Sequence, residues 1–314
     1  DVTAWSLHPL YKWRLARTFA VHRVVDEKGR RKAEPVPFKQ LLHMSELTPE
    51  QFPGHQRGSP TFPELLVCAS VNLSDQGTTP PGQSSLSFVF GPRDIGSPNT
   101  VVVPQPTSWW RWLLYPAQTE EATETLGPLQ MPTTDYEDAV GARRQRDITL
   151  SAAVAMSGAA IAPSMGKMTR APLRFLLALT NVRLGVWLPN PIRPPTTAVP
   201  ANPRQVRLLY ELAGRHRARS TFLYVTDGGH IENLGLLELL RRECTTIVCL
   251  DAAGGSTETF STLGEAIALA ASELNVRISI DPARDLEPFG DRTNRADHTV
   301  GEIRYASGKI GRLV

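Results

Sequence analysis

Residues 221–251 constrain the fold more than any other stretch of this chain. Thr221–Thr226 is rich in β-branched and aromatic residues, which predicts a buried strand. An Asp-Gly-Gly tripeptide ends that strand, because two consecutive glycines allow backbone angles that other residues adopt only at a cost. Closely spaced leucines over 234–242 then predict a short buried helix, and 245–250 predicts a second buried strand. Two apolar strands joined by a helix predict a βαβ unit, and hence an α/β fold with a mainly parallel central sheet and flanking helices.

The rest of the chain supplies further elements around this unit. Strands are predicted at 63–73, 85–90, 94–103 and 277–280, with a hairpin over 298–314, and helices at 9–22, 147–162, 170–188, 204–218 and 261–274. A β-rich and irregular excursion therefore covers 35–147, with a charged turn or exposed loop before it at 26–34. Residues 204–314 form the predicted βαβ core, and 189–203 is a long proline-rich loop.

Composition excludes several classes of protein. An apolar content of 41% in 314 residues is sufficient for a hydrophobic core. The net charge is +3 with both signs interspersed, so we expect no nucleic-acid partner. No apolar run approaches 20 residues, so no membrane span is predicted. The cysteines, Cys68, Cys244 and Cys249, have no metal-ligand spacing and indicate free thiols of a reducing compartment, so we expect a cytoplasmic protein or one at the cytoplasmic face of a membrane.

Asp227 is the leading functional candidate. Ligands of parallel sheets bind beyond the carboxyl ends of the strands, which is where Asp227 is expected to lie. Its carboxylate could act as a base, orient a base or bind a metal. It could equally cap the following turn by accepting a hydrogen bond from the amide of Gly229 or His230. Gly228 and Gly229 would leave room for a substrate close to the backbone.

The neighbours of Asp227 superficially resemble a set of metal ligands. His230 and Glu232 follow it closely, and Asp251 is the only further candidate. Because metal ligands must converge at a suitable spacing, we predict no metal. His230 and Asn233 are instead expected to hold the loop by hydrogen bonds, with Glu232 at the start of the helix.

Ser157 is a less favoured candidate nucleophile. A nucleophile elbow requires G-x-S-x-G on a strained turn between a strand and a helix. Here Ala155 and Ala159 occupy the glycine positions, and no G-x-S-x-G occurs anywhere in the chain. The glycine pair at 254–255 also lacks the patterns typical of nucleotide sites, so no cofactor is predicted.

Two aromatic stretches could contact lipid. The predicted helix within residues 1–22 carries basic and aromatic side chains, which fits an anionic membrane surface or packing on a partner domain. The cluster Trp109, Trp110, Trp112 and Tyr115 fits an interfacial patch or a loop anchored on the core.

Three stretches resemble the patatin-like phospholipases, which are related to the cytosolic phospholipases. They are ELLVCASVNLSDQGTTPPGQSSLSFVF at 64–90, DITLSAAVAMSGAAIAPSMG at 147–166 and YVTDGGHIENLGLLELLRR at 224–242. The last stretch, with WLPNP at 187–191, is similar to a bacterial subgroup of large patatin-like proteins. The resemblance implies that residues 1–314 are a portion of a single patatin-like α/β domain.

The resemblance also implies an activity. The family hydrolyses acyl esters of lipids through a Ser–Asp dyad, and Asp227 corresponds to the dyad's aspartate. The family's serine lies in a G-x-S-x-G segment after a glycine-rich oxyanion loop, so both are expected upstream of Asp1. The implied substrate is a lipid or phospholipid, with peripheral membrane contact and no cofactor. The alternative is an inactive domain of this fold that binds lipid or a protein partner.

Overall fold

The structure is a computed structural model of the chain. It describes residues 6–36, 42–48, 64–74, 79, 83–104, 123–140, 147–159, 184–193, 216–252, 260–286, 288–289, 293–294, 296 and 298–314. The chain divides into two compact units, Asp1–Ile231 and Glu232–Val314. That both units belong to one patatin-like domain stays a prediction.

The described residues form a mixed α/β structure. The strands are β1 (Val21–Val25), β2 (Arg31–Pro35), β3 (Val67–Asn72), β4 (Ser85–Phe90), β5 (Asp94–Pro104), β6 (Thr123–Pro132), β7 (Val186–Pro189), β8 (Phe222–Thr226), β9 (Thr246–Ile247), β10 (Arg277–Ser279), β11 (Pro288–Phe289), β12 (Thr293–Asn294), β13 (Gly301–Arg304) and β14 (Ile310–Leu313). The helices are α1 (His8–Phe19), α2 (Thr133–Val140), α3 (Leu150–Ser157), α4 (Leu236–Arg241), α5 (Ser261–Leu274) and α6 (Pro282–Leu286), with 3-10 turns at Met44–Leu47 and Gly228–His230.

The first unit is built on a curled sheet of six strands in the order β6-β5-β4-β3-β8-β7. Every pairing in it is antiparallel. All residues of β4, β7 and β8 are buried, so both faces of these strands are covered. The candidate Asp227 follows the last residue of β8.

The predicted parallel βαβ unit is wrong in this structure. The strand before the Asp-Gly-Gly tripeptide is β8, in the six-stranded sheet, whereas the strand predicted at 245–250 is reduced to β9, in a different sheet. The physical reason is that β8 already has antiparallel neighbours on both sides, β3 and β7, and has no free edge for a parallel partner. Among the described residues the one parallel pairing joins β9 to β14.

Helix α3 begins at Leu150, three residues after the start of the helix predicted at 147–162. The Thr149 side chain caps it by accepting a hydrogen bond from the amide of Ala152 at 3.4 Å. Its small residues Ala152, Ala153 and Ala155 are fully buried, because short side chains let the helix lie close to its neighbours. The described helix ends at Ser157, followed by Gly158.

Three other predictions need correction. Residues 123–140, predicted to be irregular, form β6 and α2, whose buried positions 133, 136, 137 and 140 have helical spacing. The charged turn or exposed loop predicted at 26–34 is partly right: 27–29 form a turn, whereas 31–34 belong to the exposed second strand of the antiparallel hairpin β1–β2. The end of the helix predicted at 170–188 is the buried strand β7, because its side chains pack on both faces of the sheet beside β8.

Several predicted features lie outside the described residues. They are most of the helix at 170–188, most of the helix at 204–218, the aromatic cluster at 109–115 and the glycine pair at 254–255.

The second unit holds a sheet in the order β10-β13-β14-β9, with α4, α5 and α6. Helix α5 covers 261–274, as predicted. The hairpin predicted over 298–314 is confirmed as β13–β14, with Gly308 at a φ of +86° in its turn. Among the described helices, none is both long enough and apolar enough to cross a membrane.

Candidate functional site

The Asp227 carboxylate lies where the buried strand β8 ends. Its Oδ1 accepts a hydrogen bond from the amide of Gly229 at 2.9 Å, which starts the 3-10 turn Gly228–His230. The capping role considered from sequence is therefore present. Asp227 is half-buried, and among the described residues no hydrogen-bond donor contacts its Oδ2. One carboxylate oxygen is thus fixed, and the other is left for a further interaction.

The two glycines have a different role from the one expected. Neither Gly228 nor Gly229 has a positive φ, so backbone freedom does not explain them. A Cβ on Gly228 would lie only 2.7 Å from the backbone oxygen of Cys68 in β3. Gly228 therefore allows the turn to approach the neighbouring strand, while Gly229 supplies the amide that holds Asp227.

Ser157, at the end of α3, lies close to the Gly228–His230 turn. Its Oγ donates a hydrogen bond to the backbone oxygen of Cys68 at 2.6 Å, the oxygen that faces Gly228. A second bond runs from Thr226 Oγ1 to the backbone oxygen of Ala159 at 3.3 Å. The end of α3 and the turn after β8 therefore meet on β3. The hydroxyl proton of Ser157 is directed at a backbone carbonyl oxygen.

His230 stands beside the carboxylate as a neutral ring. Burial lowers its pKa below the usual value, and the negative charge of Asp227 offsets part of this effect. Its buried Nδ1 has no hydrogen-bond partner among the described residues, and its backbone amide donates to the Asp227 carbonyl at 3.3 Å. The predicted role of its side chain in holding the loop is therefore not found.

The remaining sequence candidates, Glu232 and Asn233, belong to the second unit. Glu232 lies just before α4, at the start of the helix as predicted, and its carboxylate accepts hydrogen bonds from the amides of Leu234 at 2.8 Å and Leu237 at 3.5 Å. Burial raises its pKa and these backbone bonds oppose the rise. Asn233 is exposed, and its side chain makes no hydrogen bond within the described parts of the chain.

An apolar cavity adjoins Ser157 in the first unit. It has a volume of about 510 Å³ and lies between α1 and α3, with Ser157 and Gly158 in its wall. Apart from Ser157, the side chains of its wall are largely aliphatic or aromatic: Tyr11, Leu15, Ala16, Phe19, Ala20, Val36, Leu42, Leu150, Ser151 and Val154. The cavity could not be predicted from the sequence, because it depends on how α1 packs against α3.

A second cavity, of about 540 Å³, lies within the second unit around Cys249. Burial raises the pKa of the Cys249 thiol, and the charges of Glu232 and Asp251 raise it further. The thiol is therefore protonated and a poor nucleophile. Among the described residues no group of three His, Cys, Asp or Glu side chains could hold a metal ion.

Comparison of the chain with models of known protein families, with curated proteins and with solved structures finds no match.

Proposed function

We propose that this protein hydrolyses acyl esters of lipids, either phospholipids or lysophospholipids, with Asp227 as the base of a Ser–Asp dyad. The nucleophilic serine of the proposed dyad lies outside residues 1–314. The observation that carries the proposal is the Asp227 carboxylate, half-buried at a strand end, with one oxygen fixed by Gly229 and the other without a donor. No metal or cofactor takes part.

The chemistry requires a carboxylate that is rigid and free to take a proton. As the serine oxygen bonds to the ester carbonyl carbon, Asp227 accepts the hydroxyl proton and then passes it to the departing alcohol. Water next attacks the acyl-serine, again giving a proton to Asp227, which returns it to the serine as the fatty acid leaves. A neutral His230 beside Asp227 adds no positive charge that would weaken the carboxylate as a base.

The cavity beside Ser157 supports the proposed substrate class. Its volume lies in the range typical of small-ligand sites, and its aliphatic and aromatic wall suits an acyl chain. Ser157 and Gly228 both contact the Cys68 carbonyl, so an acyl chain in the cavity would bring its ester close to the turn that holds Asp227.

The proposal includes a patatin-type arrangement with a mainly parallel central sheet. The six strands of the curled sheet in the first unit are antiparallel, so the parallel strands would have to come from residues outside the described ranges. The proposal also places the hydrolysis at the cytoplasmic face of a membrane, which would supply the lipid substrate.

Hydrolysis of a short p-nitrophenyl acyl ester by the full-length protein tests the role of Asp227. Asp227→Asn keeps an oxygen that can accept the Gly229 hydrogen bond, so the turn survives, but it removes the base. We expect the rate to fall by about two orders of magnitude or more. The matched control is Asp138→Asn at an exposed position of α2, which we expect to keep the full rate. An unchanged rate in Asp227→Asn would refute the proposal.

A second candidate function is lipid binding without catalysis. The observation that favours it is the hydrogen bond from Gly229 to Asp227, because a purely structural aspartate would make this same contact. That function predicts no hydrolysis by the wild-type protein. It also predicts that a lipid with an acyl chain protects the cavity from solvent, which hydrogen exchange of α3 would detect.

A further inference from the structure

Helix α1 has one face turned into the first unit. His8 and Lys12, one turn apart, are only 1% and 7% exposed. The His8 ring nitrogen Nδ1 is hydrogen-bonded to the backbone oxygen of Leu184 at 2.8 Å, which holds the helix to the chain before β7. The other face of α1 is therefore fixed in an outward orientation.

That outward face combines apolar and basic side chains. Leu10 is 57% exposed, and Leu7, just before the helix, lies three residues away on the same side. Arg14 and Arg17 continue the same face at positions four and seven residues after Leu10, and both are exposed. Among the described residues neither guanidinium has an acidic partner.

Trp13 lies beside both arginines. The guanidinium carbons of Arg14 and Arg17 are 5.8 and 5.5 Å from the centre of its ring. Tryptophan is favoured at the boundary between water and lipid, because its ring is amphipathic. Arginines next to it can bind the phosphates of the headgroups while the ring lies at the same depth.

The hairpin β1–β2, which follows α1 directly, extends this surface. The Ala20 carbonyl accepts a hydrogen bond from the amide of Val36 at 2.8 Å, which ties the hairpin's end to the helix. Phe19 and Val25 are 73% and 67% exposed, unusually high for large apolar side chains. The exposed basic side chains of the hairpin are Lys28, Arg30, Arg31 and Lys32.

Positive charge is concentrated in this segment. Residues 6–36 hold eight Lys and Arg and three Asp and Glu, a net charge of +5, whereas the whole chain has a net charge of +3. One of the three acids, Asp26, pairs with Arg30 at 2.9 Å and Lys32 at 3.6 Å within the hairpin. Arg14, Arg17, Lys28 and Arg31 are exposed and can reach an anionic partner.

We propose that α1 and the hairpin β1–β2 form a surface that binds an anionic lipid membrane. Apolar side chains enter the boundary between headgroups and acyl chains, while the basic side chains contact anionic headgroups. Exposed aliphatic and aromatic residues among the arginines favour a membrane over a nucleic acid. A phosphate backbone binds the basic groups but makes no favourable contact with apolar side chains such as Leu10 and Val25. This surface binds lipid whether or not the protein is a hydrolase.

The test is co-sedimentation of the full-length protein with phosphatidylcholine vesicles, with and without phosphatidylserine. We expect binding that requires phosphatidylserine and weakens with salt. The double variant Arg14→Gln/Arg17→Gln should bind about 30-fold more weakly, since each basic residue near an anionic surface contributes about fivefold. Leu10→Ser should weaken binding also at high salt, because it removes apolar contact.

The matched control is Arg304→Gln/Arg312→Gln, which removes the same charge from exposed strand positions of the second unit and should bind like wild type. The assay is repeated on Asp227→Asn, so that membrane binding is judged separately from hydrolysis. Equal binding by wild type and the α1 double variant would overturn the proposal. So would binding to single-stranded RNA with no binding to either kind of vesicle.

Discussion

The two sheets of this molecule bury their strands in different ways. In the first unit every residue of β4 and β8 is buried, so side chains on both faces are covered. In the second unit β13 and β14 alternate strictly between buried and exposed residues, so one face is covered and the other is in water. Both are largely antiparallel, yet only the second has the pattern usually expected of an antiparallel sheet.

A strand in which every residue is apolar is therefore buried on both faces. This pattern does not show whether the strand runs parallel or antiparallel to its neighbours. On one face of β7 and β8 lie Val186, Leu188, Leu223 and Val225, which belong to the main core. On the other face Trp187, Phe222 and Tyr224 form a separate cluster, and the His216 ring stacks against both Trp187 and Tyr224. This second cluster covers the face that water would otherwise reach.

The largest expected effect is on the free energy of unfolding. It is measured with substitutions at two adjacent residues of a strand in each sheet. In β4, Phe88→Ala should lower the free energy of unfolding by about 3–5 kcal/mol, and Val89→Ala on the opposite face by about 2 kcal/mol. In β13, Ile303→Ala should cost about 2–5 kcal/mol. Its neighbour Arg304→Ala should stay within about 0.5 kcal/mol, because the side chain is exposed.

Urea unfolding of the four variants measures these values. If Val89→Ala lowers the free energy of unfolding no more than Arg304→Ala does, β4 has only one buried face, which contradicts the difference described between the two sheets.

A smaller effect is expected on the pH dependence of stability, which is compared between a histidine of the first unit and one of the second. Burial and the nearby positive charge of Lys12 lower the pKa of His8 from 6.5 to about 4. The unfolded chain therefore binds the proton more readily, and stability is complete above pH 6.5 and is lost as the pH falls towards 4. The whole loss is on the order of 3 kcal/mol.

Thermal unfolding across this pH window, for wild type and His8→Asn, measures the contribution of His8. We expect the variant to be less stable near neutral pH and to lose less stability on acidification. His298→Asn, at an exposed position of the second unit, is the control and should follow wild type. An identical pH profile for His8→Asn and wild type would show that the ring is not buried as described.

Elements with a strong local signal could be predicted from the sequence. Helix α5 has a clear helical period, and the β13–β14 hairpin has a glycine in its turn. The strand β6 was missed because Gly127 and Pro128 interrupt its pattern, although Gly127 adopts a φ of +74° within the strand. Strand direction could not be predicted, because it depends on neighbours far away in the sequence.

In the candidate site too, features set by local sequence could be predicted, and features set by tertiary contacts could not. The position of Asp227 at a strand end and its cap on Gly229 follow from local sequence. The meeting of Ser157 with Cys68, 89 residues apart, does not, because it depends on how α3 packs on β3. The close approach of Gly228 to the Cys68 carbonyl is also a tertiary contact, which is why backbone angles gave the wrong reason for that glycine.

Labelling of the full-length protein with a fluorophosphonate, followed by peptide mapping, tests the central claim most directly. This reagent bonds covalently to an activated serine, so it reports both which serine is the nucleophile and whether Asp227 activates it. We expect one labelled serine outside residues 1–314 and much slower labelling in Asp227→Asn. A label on Ser157, or labelling that proceeds equally fast in Asp227→Asn, would contradict it.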